Sequence, residues 1–200
     1  MDQTIKHTPT KFDILPILKD RWSPRTFSDQ PVSETQLRAL FEAGRWAPSA
    51  YNLQPWRIIW GIKGSETYDR IKACLNDFNQ QWAVNAPVLM LGAYKTTNEQ
   101  GEKNSHAFHD LGLFMGNVLC QAQHMGIALH QMAGIHADKA HKEFKFPDDH
   151  VVATGIAVGY YGGSVTDLPE NLREKEEKKE RERKEQRDFT FNGNYQQPIK

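Results

Sequence analysis

Apolar residues recur along this chain in two rhythms, and where each rhythm holds predicts the elements. Between residues 105 and 125, Ala107, Leu111, Phe114, Val118, Ala122 and Met125 follow at steps of 4, 3, 4, 4 and 3, the spacing that lines one face of an α-helix. Leu113, Gly116 and Cys120 lie off that stripe, so this longest helix is expected to be covered on more than one side. Gly112 and Gly116 form a notch of small residues. A glycine inside a helix costs up to about 1 kcal/mol relative to alanine, so the notch predicts close packing, against this chain's own sheet or a second subunit. Continuous apolar runs at 87–93 and 151–161 predict strands buried on both faces, and 56–60 and 127–131 predict two more.

Shorter signals fill the gaps. A short helix over 12–18 puts Ile14, Leu15 and Leu18 on one face. Ser33 and Gln36 form a capping box that opens a helix carrying Leu37, Leu40, Phe41 and Gly44, which ends before Pro48. A capped helix follows over 65–75, then a short turn around Asn79, a turn at 132–135 and a helix over 137–144. From Pro169 the chain changes character. Glu174 with Lys178, Glu177 with Arg181 and Glu180 with Lys184 stand at i,i+4, each pair worth about 0.2–0.5 kcal/mol on a helix. That solvated helix is expected to break into an edge strand at 188–191, where Phe189 and Phe191 alternate. Strands alternating with helices predict an α/β (α+β) three-layer sandwich, a central mixed sheet flanked by helices. One domain is expected over 1–200, with 168–200 as a charged arm able to reach a partner.

Composition narrows the class. The 200 residues carry 25 Lys+Arg against 25 Asp+Glu, a net charge of zero, so no global field argues for nucleic acid or an acidic membrane. Hydrophobic content is 38%, lowered mainly by the charged stretch 170–188. No run of apolar residues is long enough to span a bilayer, and 1–11 lacks the apolar core of a signal peptide. Cys74 and Cys120 lie far apart and read as buried free thiols of a reducing compartment, which places the protein in the cytoplasm.

The candidate chemistry centres on residues 21–27. In extended backbone, alternate residues share a side, so Arg21, Ser23 and Arg25 would converge, with Pro24 stiffening the middle. Two guanidinium forks and a hydroxyl suit a phosphate group, although a surface turn with ordinary ion pairs fits the same fragment. His106, His109, Asp110, His136 and His141 form no metal-ligand spacing, so no metal is expected. Neither a Gly-x-Ser-x-Gly elbow nor a Gly-x-Gly-x-x-Gly loop is present, so any nucleotide would be held by side chains and a loop.

With the 47–56 segment Ala-Pro-Ser-Ala-Tyr-Asn-Leu-Gln-Pro-Trp added to this motif, the chain resembles the FMN-dependent nitroreductase family over nearly its whole length. His130-Gln131-Met132-Ala133-Gly134 resembles the family's flavin-facing turn. Arg181-Glu182-Arg183-Lys184, followed by Phe189, Phe191 and Gly193, resembles its C-terminal basic motif. The resemblance implies an intertwined homodimer binding FMN. Arg21 and Ser23 would contact the phosphate and ribityl chain, Trp22 would contribute its backbone, and Arg25 would lie near the N1–C2=O edge, where positive charge favours the reduced anion. Pro48, Ser49, Ala50 and Asn52 would come from the second subunit, with Gln54 and Trp56 fixing their loop. Asn79 would read the pyrimidine edge, Met132, Ala133 and Gly134 would offer backbone groups to N5 and O4, and Arg181 and Arg183 would complete the phosphate clamp.

This sequence departs from the family pattern twice: Glu185-Gln186 stands where Pro-Leu often follows the basic pair, and Ala133 replaces a frequent acidic residue. The implied activity is ping-pong transfer of two electrons from NAD(P)H to an electron-poor small molecule, a nitroaromatic or quinone, with no catalytic side chain. The alternatives are a non-catalytic flavin carrier, a flavin-dependent dehalogenase-like relative, and an interaction domain with no cofactor.

Overall fold

The computed structural model describes residues 6–197. Its centre is a four-stranded sheet, β1 (Trp56–Ile62), β2 (Val88–Lys95), β3 (Ile127–Met132) and β4 (His150–Tyr160), in the order β1-β2-β4-β3. All three pairings are antiparallel, where a mixed sheet was expected. Strands that are apolar throughout report two covered faces and carry no information about direction, so the sequence pattern could not distinguish the two arrangements.

Helices cover both faces, giving the three-layer sandwich. Along β2, Leu89, Leu91 and Ala93 face a core shared with Tyr68 and Ile71 of α3 (Glu66–Ala73), Trp82 of α4 (Asp77–Ala83) and Ala140 of α6 (Ala137–Glu143). Val88 and Met90 face the opposite core, built with Leu37 and Leu40 of α2 (Glu34–Arg45) and Leu111, Phe114 and Val118 of α5 (Ala107–His124). This is the period-two alternation of a strand with two apolar faces. The α5 stripe is buried as its spacing required, and Phe114 packs so close to α2 that a Cβ on Gly44 would fall 2.4 Å from its ring. The capping box of α2 is formed, with Ser33 accepting from the Gln36 N–H and Gln36 answering to the Ser33 N–H.

Several local expectations are corrected. Asn79 sits within α4, because Asn76 caps that helix by accepting the Asn79 N–H and Trp82 and Ala83 bury its inner face. The first helix, α1 (Pro16–Asp20), starts only at Pro16, which occupies its first turn. Ile14, Leu15 and Leu18 are left exposed. The final helix, α7 (Glu170–Glu177), is anchored by buried Leu168 and Leu172 and stops at Lys178. The i,i+4 pairs expected beyond it therefore do not form as helical pairs; Lys178 pairs with Glu182 instead. Residues 186–188 make a 3-10 turn where an edge strand was expected to begin. Cys74 is buried and its thiol pKa raised by that burial, but Cys120 is only half-buried. No helix among the described residues is long and apolar enough to cross a membrane.

Candidate functional site

The two ends of the sequence meet beside the arginine motif. Leaving α7, the chain runs along the N-terminal segment: His7 pairs with Glu180 in a parallel bridge, and Lys6 Nζ donates to the carbonyls of Glu176 and Lys178. Arg181 Nη1 donates to Thr8 Oγ1 at 2.6 Å and to the Lys19 carbonyl at 3.0 Å. Burial lowers the pKa of Arg181, and the nearby charges of Arg21 and Arg183 lower it further. Like charges gathered this way are unfavourable on their own and become favourable around an anion. Arg183 is exposed, its contact being to the Glu182 carbonyl. Arg181 is therefore the member of the basic pair that joins Arg21.

Within the motif, the alternation holds for its first half. Arg21 Nη1 lies 3.4 Å from Ser23 Oγ. A bend at Arg25 then turns that side chain inward, 3.7 Å from Glu176 and 5.8 Å over the Trp82 ring. Trp22 stacks on Tyr161 at 5.6 Å, and the Tyr161 hydroxyl bridges its backbone, 3.3 Å from the Trp22 N–H and 3.2 Å from the carbonyl. The Trp22 backbone is thus engaged inside the chain.

From Arg25 the site continues through two rings. His130 on β3 lies 4.4 Å from Trp82, centroid to centroid, and its Nδ1 is 2.8 Å from the Pro24 carbonyl, which fixes the proton on that nitrogen. Burial drives its pKa down to about 4, the Pro24 bond opposing and Arg25 reinforcing the shift. His130 is thus a neutral ring at neutral pH. Trp82 Nε1 donates to Asn79 Oδ1 at 3.2 Å, and Asn79 Nδ2 donates to the Gly134 carbonyl at 2.9 Å. Asn79 therefore holds the 132–134 turn in place. A Cβ on Gly134 would fall 2.5 Å from the amides of Asn76 and Asn79, so only glycine lets the turn sit there. The carbonyls of Met132, Ala133 and Gly134 accept from Thr154, Ile135 and Asn76 respectively. What this turn can offer a ligand is donors.

The 48–55 loop lies elsewhere. It feeds β1, while His130 and Met132 are on β3, the opposite edge, about 14 Å away by three strand spacings. Pro48, Ser49, Ala50 and Asn52 are therefore not brought to the arginines of their own chain. The loop is strained: Tyr51, Asn52 and Gln54 have φ of 50, 56 and 46°, left-handed values that side-chain-bearing residues rarely adopt. Ser49 Oγ accepts the Gln54 N–H, and the buried carboxylate of Asp110 on α5 accepts the Ala50 N–H at 3.0 Å. Tyr51 is 96% exposed.

The long-range contacts of four residues around these segments escaped the sequence pattern: those of Glu176, Asp110, His130 and Tyr161. Each acts through contacts more than thirty residues away in sequence. A buried charge inside a charged run, as at Glu176, leaves no local signal. Asp110 was legible only as a carboxylate beside His109, which it pairs with at 3.1 Å. No group of three or more metal-ligating side chains is gathered among the described residues.

Known proteins resemble this arrangement. A family model described as the nitroreductase family matches residues 18–81 and 63–160. A crystal structure of an oxidoreductase containing FMN superposes with a TM-score of 0.86 at 31% identity, over 94% of this chain and 95% of that one. A nitroreductase family protein from Clostridium difficile 630 shares the fold, with a TM-score of 0.63 at 21% identity over 82% of this chain and 92% of its own. A Polynucleobacter asymbioticus protein provisionally named NADH dehydrogenase/NAD(P)H nitroreductase is 26% identical over 167 residues, 74% of this chain and 84% of its own.

Proposed function

The chain belongs to the nitroreductase family, and from that premise we propose that it is an FMN-dependent oxidoreductase of the cytoplasm. It passes two electrons in ping-pong order from NAD(P)H to an electron-poor small molecule of the nitroaromatic or quinone type. The observation that carries this reading is the meeting of Arg21 and Arg181 from opposite ends of the sequence. The residues fit an anionic flavin by their own chemistry. Arg25 keeps spare donors: its buried Nε has no partner among the described residues, and Nη1 stands 3.7 Å from Glu176, beyond hydrogen-bond length. Bound FMN would supply the two-electron chemistry at its N5 position.

The protein's part is to bind, orient and polarise. Arg21, Ser23 and Arg181 hold the phosphate and ribityl chain. Arg25 sets positive charge at the pyrimidine edge, on a platform of Trp82 and His130. The N–H side of the 132–134 turn, braced by Asn79, donates toward the ring. Met132 and Thr154 form the turn's base, and the flavin itself carries the electron transfer, so no side chain is assigned a catalytic role.

The 48–52 residues act from a second copy of the chain. That assignment is supported by their distance from their own arginines and by an open face on α5, where a Cβ on Gly112 or Gly116 would meet nothing within 4 Å. Exposed Phe12, Leu15 and Leu18 add apolar surface for the same partner, and residues 186–197, mostly exposed, belong to the arm that would reach across. The two free cysteines suit a reducing compartment. The test is a visible spectrum of the purified protein after FMN is added, followed by NAD(P)H oxidation with and without a quinone or nitroaromatic. Flavin bands that survive gel filtration, with acceptor-dependent turnover, support the reading; a colourless protein overturns it.

A further inference from the structure

A carboxylate removed from water needs both a counter-charge and hydrogen bonds, and the side chain of Glu176 is only 3% exposed. Its Oε1 accepts the backbone N–H of Arg25 at 2.7 Å and that of Thr26 at 3.3 Å. Its Oε2 lies 3.7 Å from the Arg25 guanidinium. One carboxylate thus grips the same arginine by its backbone and by its charge, and the two oxygens divide the work. Oε1 fixes the bend that turns Arg25 inward. Oε2 stands close enough to offset part of the guanidinium's field, yet too far to occupy its donors. Lys6, whose Nζ donates to the Glu176 carbonyl, adds a second cation beside the carboxylate, near enough to Arg25 to feel its charge as well.

We propose that Glu176 is the positioning residue for Arg25, and that its buried charge sets how strongly that guanidinium favours a reduced, anionic flavin over the oxidised form. The inference rests on the FMN reading above and adds a residue outside the family motifs. A mere brace would need only an acceptor for two N–H groups. Glu176→Gln keeps that acceptor and removes the charge, whereas Glu176→Asp keeps the charge and shortens the arm.

The experiment is a reductive titration of FMN bound to the wild-type protein and to each variant, with FMN dissociation constants measured alongside. For Glu176→Gln, the preference for reduced over oxidised FMN is expected to rise about tenfold, a midpoint potential higher by about 30 mV for a two-electron couple. Glu176→Asp is expected to stay within about threefold of wild type, because the Coulomb interaction falls only as the inverse of distance. Equal potentials for wild type and Glu176→Gln overturn the proposal, as does a common shift of both variants. If Glu176→Gln does not fold, Glu176→Ala, which also removes the charge, carries the test: a potential raised about as far supports the role and one equal to wild type overturns it. Wild-type protein that takes up no FMN removes the underlying reading and this proposal with it, an outcome distinct from flavin bound at an unchanged potential.

Discussion

At the arginine end, residues 19–26 are held by side chains from far along the sequence: Glu176 on the Arg25 and Thr26 N–H groups, Tyr161 on Trp22, and Arg181 on the Lys19 carbonyl. The 48–55 loop is held mainly by contacts within itself, Ser49 Oγ on the Gln54 N–H among them, with three residues at positive φ and a buried carboxylate, Asp110, as anchor. The first region is charged and assembled within one chain. The second is strained, with Tyr51 almost fully exposed, and strain of this kind persists only where surroundings over-determine it. The contrast teaches that one end gathers positive charge while the other holds an exposed, preset backbone shape, the two features that the proposed anion site and partner contact would each require.

The largest expected effect breaks the charged end. Arg21→Ala combined with Arg181→Ala removes two charge-assisted contacts worth about 1.5–3 kcal/mol each. FMN affinity should then fall by roughly 10²–10⁴-fold, read by fluorescence titration on protein shown to be folded by circular dichroism, because Arg181 also bonds Thr8 and the Lys19 carbonyl. An unaltered dissociation constant would move the anion site away from these residues. Arg183→Ala alone should weaken binding far less, since that side chain points to solvent.

Next comes the pH dependence of the ring platform. His130 is buried neutral, with its pKa lowered from 6.5 to about 4. Its contribution is fully present above the unfolded pKa and is lost as pH falls from about 6.5 to about 4, because the unfolded chain binds the proton first. Over that window stability should drop by up to about 3 kcal/mol. Urea melts of wild type and His130→Gln should converge as the pH falls; parallel curves would show that His130 does not titrate with folding.

Two smaller changes probe the loop. Asp110→Ala leaves the Ala50 N–H without its acceptor and should cost about 1.5–3 kcal/mol, partly restored by Asp110→Asn. Chemical denaturation checks the order of the three proteins. Tyr51→Gly removes the left-handed penalty of a residue at φ 50° and should stabilise the isolated fold by no more than about 1 kcal/mol. A thermal melt that moves down instead would mean the loop is not strained there. If Tyr51→Gly also weakens self-association, measured by sedimentation, the preset-shape reading is sharpened.

How much of this was legible in the sequence differs between elements. The helix over 107–124, the capping box at Ser33 and all four strands announced themselves, because each depends on periodicities or caps spanning only a few residues. Asn79 was misread as a turn because its helix has 7 residues, too short for a clear apolar period. The long charged helix failed for the opposite reason. Weak ion pairs suggested it, but apolar anchors end at Leu172, and the chain beyond Lys178 gains more from packing along residues 6–8. Arg21 and Ser23 did share a side, whereas the bend that separates Arg25 from them is imposed by Glu176, 151 residues away.

By itself, then, the sequence determined the four strands, the longest helix with its buried stripe and the capped helix after Ser33, and it marked the arginines worth watching, since those depend on local spacing and residue chemistry. Tertiary structure alone decided the direction of the strands, the inward turn of Arg25 onto Glu176 and Trp82, the partial burial of Arg181 beside an exposed Arg183 and the burial of Glu176 and Asp110. Those outcomes depend on which distant groups must share one low-dielectric space, and a linear pattern carries no term for that.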